Sequence, residues 1–268
     1  MTIIWTLLFF LSGSAVGSFL NVVADRLPRG ESIISPPSHC PGCGRELSTW
    51  ELFPIFSYLW LRGRCRTCDV VIPLRLFFVE LGTGVLFALL FWRYGLSWEL
   101  ALAILYCCMF LVLLVVDIEH GILPNAIVYP GMVVAFVLAV VVQVVPWAAG
   151  MRIENAIVPS LGKAAAGGAI GFGLLLIPAL IYPLLTGKEG MGWGDVKLAG
   201  LIGLVVGFPL VLVAMFLAII SGGLVAAILL LLKRKGGKDA IPFGPFLAVA
   251  AIITLLWGND VLGALGFS

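Results

Sequence analysis

Charge is what this sequence has least of. Only 11% of its 268 residues are Asp, Glu, Lys or Arg, where a soluble domain carries about 25%. Hydrophobic residues make up 62% and mean hydropathy is +1.16, which excludes an ordinary soluble enzyme and points to a chain whose solvent is largely lipid. A basic start is missing as well, because no Lys or Arg precedes Arg26. A secretory leader would open with positive charge and carry a shorter apolar core. The run from Thr2 to Val23 therefore reads as a retained membrane helix with its N-terminus outside the cytoplasm. There is no G-x-G-x-x-G loop following a strand, so no Rossmann-type cofactor site is expected, nor is a nucleic-acid partner.

Apolar runs recur along the whole length. They predict an all-α polytopic membrane protein with about eight transmembrane helices, near residues 2–23, 74–93, 98–117, 125–146, 162–184, 195–208, 210–232 and 243–265. The sixth is short for a bilayer and is read as tilted, buried or re-entrant. An outside N-terminus places Arg26, Arg29, Arg45, Arg62, Arg64, Arg66, Arg75, Lys188, Lys197, Lys233, Arg234, Lys235 and Lys238 in the cytoplasm or at its boundary. Only Arg93, Arg152 and Lys163 fall on the other side, a clear positive-inside bias. Gly13 with Gly17 and Gly167 with Gly171 have the four-residue spacing that lets helices approach closely.

The one substantial polar segment, residues 24–73, contains HCPGC and CRTC. Cys40, Cys43, Cys65 and Cys68 form two C-x-x-C pairs, each able to present two thiolates from a tight turn, and together they complete a tetrahedral sulfur shell for structural Zn2+. Gly42 and Gly44 suit the first turn, because glycine tolerates positive φ. Disulfides are not expected in a segment facing a reducing compartment. Cys107 and Cys108 lie in an apolar helix and read as core residues. The chain thus divides into a first helix (1–23), a small cytoplasmic zinc-binding insertion (24–73) and a transmembrane domain (74–268).

Carboxylates inside or beside membrane spans are functional candidates. Asp117 ends the third predicted span and Asp195 opens the sixth, so the topology puts both at the cytoplasmic edge of the bilayer. Two carboxylates brought together there would share a proton. One would act as base toward water while the other polarised a carbonyl, the chemistry of an aspartyl protease. The glycines in GMGWGDVKL, Gly192 and Gly194 among them, would let an extended substrate backbone approach. The plainer account makes both aspartates interfacial charges, or partners of Arg75 or Lys197. Glu80, within the second span, reads as paired with Arg75 or a polar group.

The ordered set of motifs resembles the bacterial type IV prepilin peptidases, a family of G-x-G-D membrane aspartyl proteases. It comprises GSFLNVVADRLP at 17–28, the two C-x-x-C pairs, RLFFVELGTG at 75–84, DIEHGILPN at 117–125, GWGDVKLAG at 192–200 and IPFGPFLA at 241–248. The resemblance implies cleavage of the short basic leader of prepilins and pseudopilins after a glycine, at the cytoplasmic face of the bacterial inner membrane. It also implies N-methylation of the new N-terminal residue from S-adenosylmethionine. Asp117 and Asp195 fall on the family's catalytic aspartates, and the four cysteines on its cytoplasmic zinc module. Gly63 and Arg64 fall on positions associated with methylation, Arg64 standing where some relatives carry lysine, a change that keeps charge but alters geometry. Pro242 and Gly244, in the motif opening the last span, are candidates to line the cleft and bind the extended leader. A peptidase without methylation, a proton-coupled transporter using the two aspartates, and a membrane scaffold docked through the zinc module are the competing readings. Internal repeats, which a transporter would show, are not evident. Nothing in the sequence fixes an oligomeric state or explains Lys197.

Overall fold

A computed structural model describes residues 2–149, 157–187, 192–232 and 242–266. The regular structure among those residues is helical, with no strand beyond two isolated β-bridges. Eight of the helices match the predicted spans: α1 (Thr2–Arg26), α3 (Leu74–Tyr94), α4 (Trp98–His120), α5 (Asn125–Ala149), α6 (Leu161–Thr186), α7 (Trp193–Val206), α8 (Leu210–Leu231) and α9 (Gly244–Ala264). A short α2 (Phe56–Trp60) lies in the polar segment and was not foreseen. Among the described residues seven helices are long and apolar enough to cross a membrane, so the chain is an all-α multi-pass membrane protein. Six basic residues used to orient it, Arg152, Lys188, Lys233, Arg234, Lys235 and Lys238, lie outside the described residues, as do Glu189, Gly190 and Asp239.

The chain divides into two compact units, Met1–Ile104 and Leu105–Ser268. In the first, α1 packs on α3 through small residues. A Cβ on Gly13 would lie 2.7 Å from Phe87, and one on Gly17 would lie 2.9 Å from the Glu80 backbone. Phe9 and Phe91 stack with ring centroids 4.7 Å apart. Close approach needs polar groups to be satisfied between the helices. Asn21 accordingly donates to the Leu76 carbonyl (3.1 Å), and Arg75 pairs with Asp25 (2.8 Å).

In the second unit α7 explains its own brevity. Its 14 residues span about 21 Å, less than the ~30 Å hydrocarbon layer. Nine of them, from Val196 to Val206, are buried, so the helix is apolar on every side because protein surrounds it. The tightest packing is backbone to backbone against α6. A Cβ on Gly203 would collide with the Gly167 carbonyl, and one on Gly171 with the Ala199 carbonyl. The Gly167 and Gly171 pair thus serves close packing within one subunit.

This packing predicts an asymmetry between glycines on α6 and α7. Gly203→Ala is expected to cost about 1–3 kcal/mol through overpacking and to lower the melting temperature of detergent-purified protein. Gly173→Ala, where an added Cβ meets nothing within 4 Å, should be neutral or slightly stabilising.

Candidate functional site

Asp117 sits in the last turn of α4, which Gly121 closes by donating its N–H to the Asp117 carbonyl (2.9 Å) with φ of +62°. The chain then turns through Ile122, Leu123 and Pro124 into α5. Asp195 is the third residue of α7, whose N-cap is Gly192. Its carboxylate accepts the Gly192 N–H, the arrangement of half a capping box, and a carboxylate there also suits the positive end of the helix dipole.

The two aspartates line one cavity of about 280 Å³, together with Gly121, Ile122, Leu123, Asn125, Gly192, Gly194 and Lys197. The Asp117 side chain is buried and accepts a hydrogen bond from the Gly244 N–H at the start of α9. Its Oδ2 is buried with no hydrogen-bond partner. A Cβ on Gly244 would strike that oxygen, so glycine there lets α9 approach the carboxylate. Gly194 has a different reason for lacking a side chain: a Cβ would lie 3.1 Å from Leu123. Gly192 is exposed beside Asp195. Pro242 is half-buried just ahead of α9 and is not among the residues lining the cavity.

Lys197 belongs to the same cavity. Its Nζ donates to Asn125 Oδ1 (3.1 Å) and lies 5.2 Å from the centre of the Tyr129 ring, so it ties α7 to α5 by a hydrogen bond and a cation–π contact. Sequence reasoning left this residue unexplained and missed Asn125 and Tyr129. The signal was Asn125 at the end of the DIEHGILPN motif.

The four cysteines of the first unit also meet. Their sulfurs all lie within 4.8 Å of one another, with Cys40 and Cys68 at 3.6 Å. A tetrahedral S₄ shell with metal–sulfur bonds of about 2.3 Å has sulfurs about 3.8 Å apart, so the cluster fits a metal ion. The two turns are repeats of one design. Cys40 N donates to the Arg45 carbonyl and Cys65 N to the Val70 carbonyl, each at 2.9 Å. Gly44 and Asp69 occupy the same place in each turn, with φ of +70° and +55°. Gly42, by contrast, is not at positive φ. A Cβ there would lie 3.2 Å from Val70 and 3.3 Å from Cys68 Sγ, so it clears the approach of one turn to the other. The Thr67 and Cys68 N–H groups bring the Cys65 thiol down to about 6, favouring the thiolate that a metal requires. Cys107 is buried in α4, as expected of a core residue.

Residues 11–94 match the bacterial peptidase A24 N-terminal domain, and residues 104–227 match the type IV leader peptidase family. The prepilin leader peptidase/N-methyltransferase of Pseudomonas aeruginosa is 32% identical, over 94% of this chain and 90% of its own length. The chain belongs to the type IV leader peptidase family. Enzymes of the same description from Pseudomonas putida (34% identical, over 93% of this chain and 89% of theirs) and Bacillus subtilis (31%, over 95% of each) are similarly related. No solved structure matches.

Two further features of this family member answer questions that its sequence raised. Gly63 has φ of +69°, and a Cβ there would lie 2.7 Å from the Tyr58 hydroxyl, whereas the Arg64 side chain is exposed. Of the two partners expected for Glu80, a polar group or Arg75, it takes the polar ones, and Arg75 pairs with Asp25 instead. Its carboxylate accepts the Ile55 N–H (2.8 Å) and a hydrogen bond from Ser18, holding Ile55 at φ of +65°.

Beside the cysteines, Arg45 forms a two-pronged salt bridge with Glu51 (2.7 and 2.8 Å). The Glu51 side chain is only 7% exposed, and the Arg45 guanidinium with the Ser48 N–H holds it down at about 2, below its ordinary 4.5. A lowered carboxyl adds stability that is present above pH 4.5 and lost as pH falls through 2. Melting temperatures of wild type and Glu51→Gln should therefore differ most at neutral pH, wild type being higher, and converge as the pH is lowered from 4.5 towards 2.

Proposed function

We propose that this protein removes the basic leader of type IV prepilins and pseudopilins after a glycine, with Asp117 and Asp195 activating water, and then N-methylates the new N-terminus. The observation that carries the reading is that the two aspartates, far apart in sequence, line one cavity at the end of α4 and the start of α7. The family membership and the relatives' names support leader cleavage with methylation as the reaction.

In the hydrolytic step one carboxylate takes a proton from water as the oxygen attacks the scissile carbonyl carbon. The other carboxyl gives its proton to the carbonyl oxygen. Collapse of the tetrahedral species breaks the C–N bond, and the leaving amine takes up a proton from the pair. The Gly192 and Gly244 N–H groups orient the two carboxylates for these transfers. Gly192, Gly194, Pro242 and Gly244 remain the stretches we assign to the extended substrate. The site faces the cytoplasm of the bacterial inner membrane in this reading, so that a leader's basic head stays inside while its apolar helix lies in the bilayer. The positive-inside distribution supports that orientation.

S-adenosylmethionine would supply the methyl group to the free amine. Arg64 is the residue we assign to that donor, because its exposed guanidinium can meet a carboxylate. Gly63 fits the donor less directly, since its left-handed turn beneath Tyr58 already requires glycine. For the four-sulfur cluster we propose structural Zn2+, which takes such a closed shell.

The assay is incubation of detergent-purified protein with a prepilin peptide and labelled methyl donor, followed by mass spectrometry. Asp117→Asn and Asp195→Asn should each lower cleavage at least about a hundredfold, the scale of a lost general acid or base, with the melting temperature retained. Normal processing by either variant would sink the aspartyl mechanism. Arg64→Gln should leave cleavage intact and reduce methylation. Metal analysis should find about one zinc per chain and clearly less in Cys40→Ser or Cys65→Ser. Zinc near zero in folded wild type would refute the assignment.

A further inference from the structure

Within residues 24–73 the apolar side chains are arranged the wrong way round for a soluble module. Phe56, Leu59 and Trp60 have the i, i+3, i+4 spacing of one helical face, and all three are exposed, Trp60 by 88%. The other side of α2 turns inward, where the Tyr58 ring lies 5.4 Å from Phe77 of α3. Just before α2, Trp50 is 80% exposed and stacks on exposed Phe53 with ring centroids 6.4 Å apart. Soluble surfaces rarely expose so many large apolar side chains within one short stretch without a partner.

Charge and tethering identify that partner. Arg62, Arg64 and Arg66 follow α2 directly and are all exposed, and residues 56–68 contain no acid. The segment is anchored at both ends by membrane-spanning helices, α1 ending at Arg26 and α3 beginning at Leu74. Its Glu80–Ile55 bond reaches directly from a span to the residue before α2. Tryptophan and phenylalanine beside arginine is the chemistry of an interfacial segment, with rings at headgroup level and cations meeting lipid phosphates. From these observations we propose that the Trp50–Arg66 surface docks on the anionic headgroup layer of the bilayer that the chain spans. Trp50, Phe53, Phe56, Leu59 and Trp60 insert among the headgroups, while Arg62 and Arg66 hold the surface by charge. The inference rests on the membrane-spanning fold alone and does not depend on the proposed peptidase activity.

The test uses full-length protein in nanodiscs of phosphatidylcholine, or of equal parts phosphatidylcholine and phosphatidylglycerol. Hydrogen exchange across residues 49–66 should be slower in the anionic discs. Each arginine is worth about fivefold in attraction to an anionic surface, so Arg62→Gln/Arg66→Gln should abolish most of the difference. Brominated lipids should quench tryptophan fluorescence more in wild type than in Trp50→Phe/Trp60→Phe. Both tryptophans are exposed, so that pair should keep the wild-type melting temperature and zinc content. Equal exchange in the two lipids, with quenching unchanged by the tryptophan substitutions, would overturn the proposal. Protection that rises with the number of protein copies per disc would overturn it in favour of a second chain. Protection seen only after adding a prepilin peptide would assign the surface to substrate instead.

Discussion

The backbone contact between α6 and α7 is the constraint on which the carboxylate cavity depends. A helix too short for the hydrocarbon layer can persist there only if protein covers it, and α7 is covered because Gly167, Gly171 and Gly203 remove the side chains that would hold α6 away. Van der Waals packing is the main attraction available between apolar helices in lipid, and it falls steeply with separation. The position of α7 against α6, and with it that of Asp195 in its first turn, follows from that close approach. Lys197 then ties the same helix to Asn125 and Tyr129 of α5, so polar and apolar contacts fix one register.

The cysteine module meets the opposite difficulty. Among residues 24–73 the buried hydrophobic residues are Ala24, Cys40, Ile55 and Cys65, and two of those four are themselves cysteines of the cluster. Such a segment has no apolar core of its own, and small domains in that position depend on metals or tethers. Three tethers are visible: the paired cysteine turns, the Arg45–Glu51 bridge beside them, and the Glu80 carboxylate that reaches out of α3 to Ile55. The apolar side chains left outside by this construction are those proposed to meet lipid.

Much of this was legible in the sequence, because hydrophobic runs, C-x-x-C spacing and isolated carboxylates report on forces that act locally or along one helix. The spans matched to within a few residues, and the short sixth run was already anomalous for its length. What escaped were the partners that packing chooses. Spacing could not show that Gly44 and Asp69 hold the left-handed positions while Gly42 clears the facing turn. Glu80 was open to a polar group or to Arg75, and only packing decides: Arg75 pairs with Asp25, and Glu80 accepts the Ile55 N–H and a bond from Ser18. Phe56, Leu59 and Trp60 were invisible as a face, since five residues are too few for a periodic signal. Lys197 needed α5 beside α7 before it had a role.

The two carboxylates of the cavity are held in parallel ways, only one of them under steric constraint. Each receives one backbone N–H from a glycine, Asp117 from Gly244 and Asp195 from Gly192. At Gly244 a Cβ would collide with Asp117 Oδ2, so any side chain there would displace the carboxylate. At Gly192 it would not: a Cβ would sit 3.5 Å from Asp195 Oδ2, ordinary contact distance. A backbone donor has no rotamers to order, so it fixes a carboxylate more firmly than a side chain of equal hydrogen-bond strength would. It also brings no net charge to the carboxylate it holds. Asp117 Oδ2 is buried and without a partner, and in the mechanism proposed above it is the oxygen left for proton exchange. Of the two glycines of the G-x-G-D motif, Gly194 packs on Leu123 and Gly192 caps Asp195 through an N–H that any residue but proline could offer, while Gly244 from a distant helix supplies the close approach to a carboxylate that the motif alone suggested.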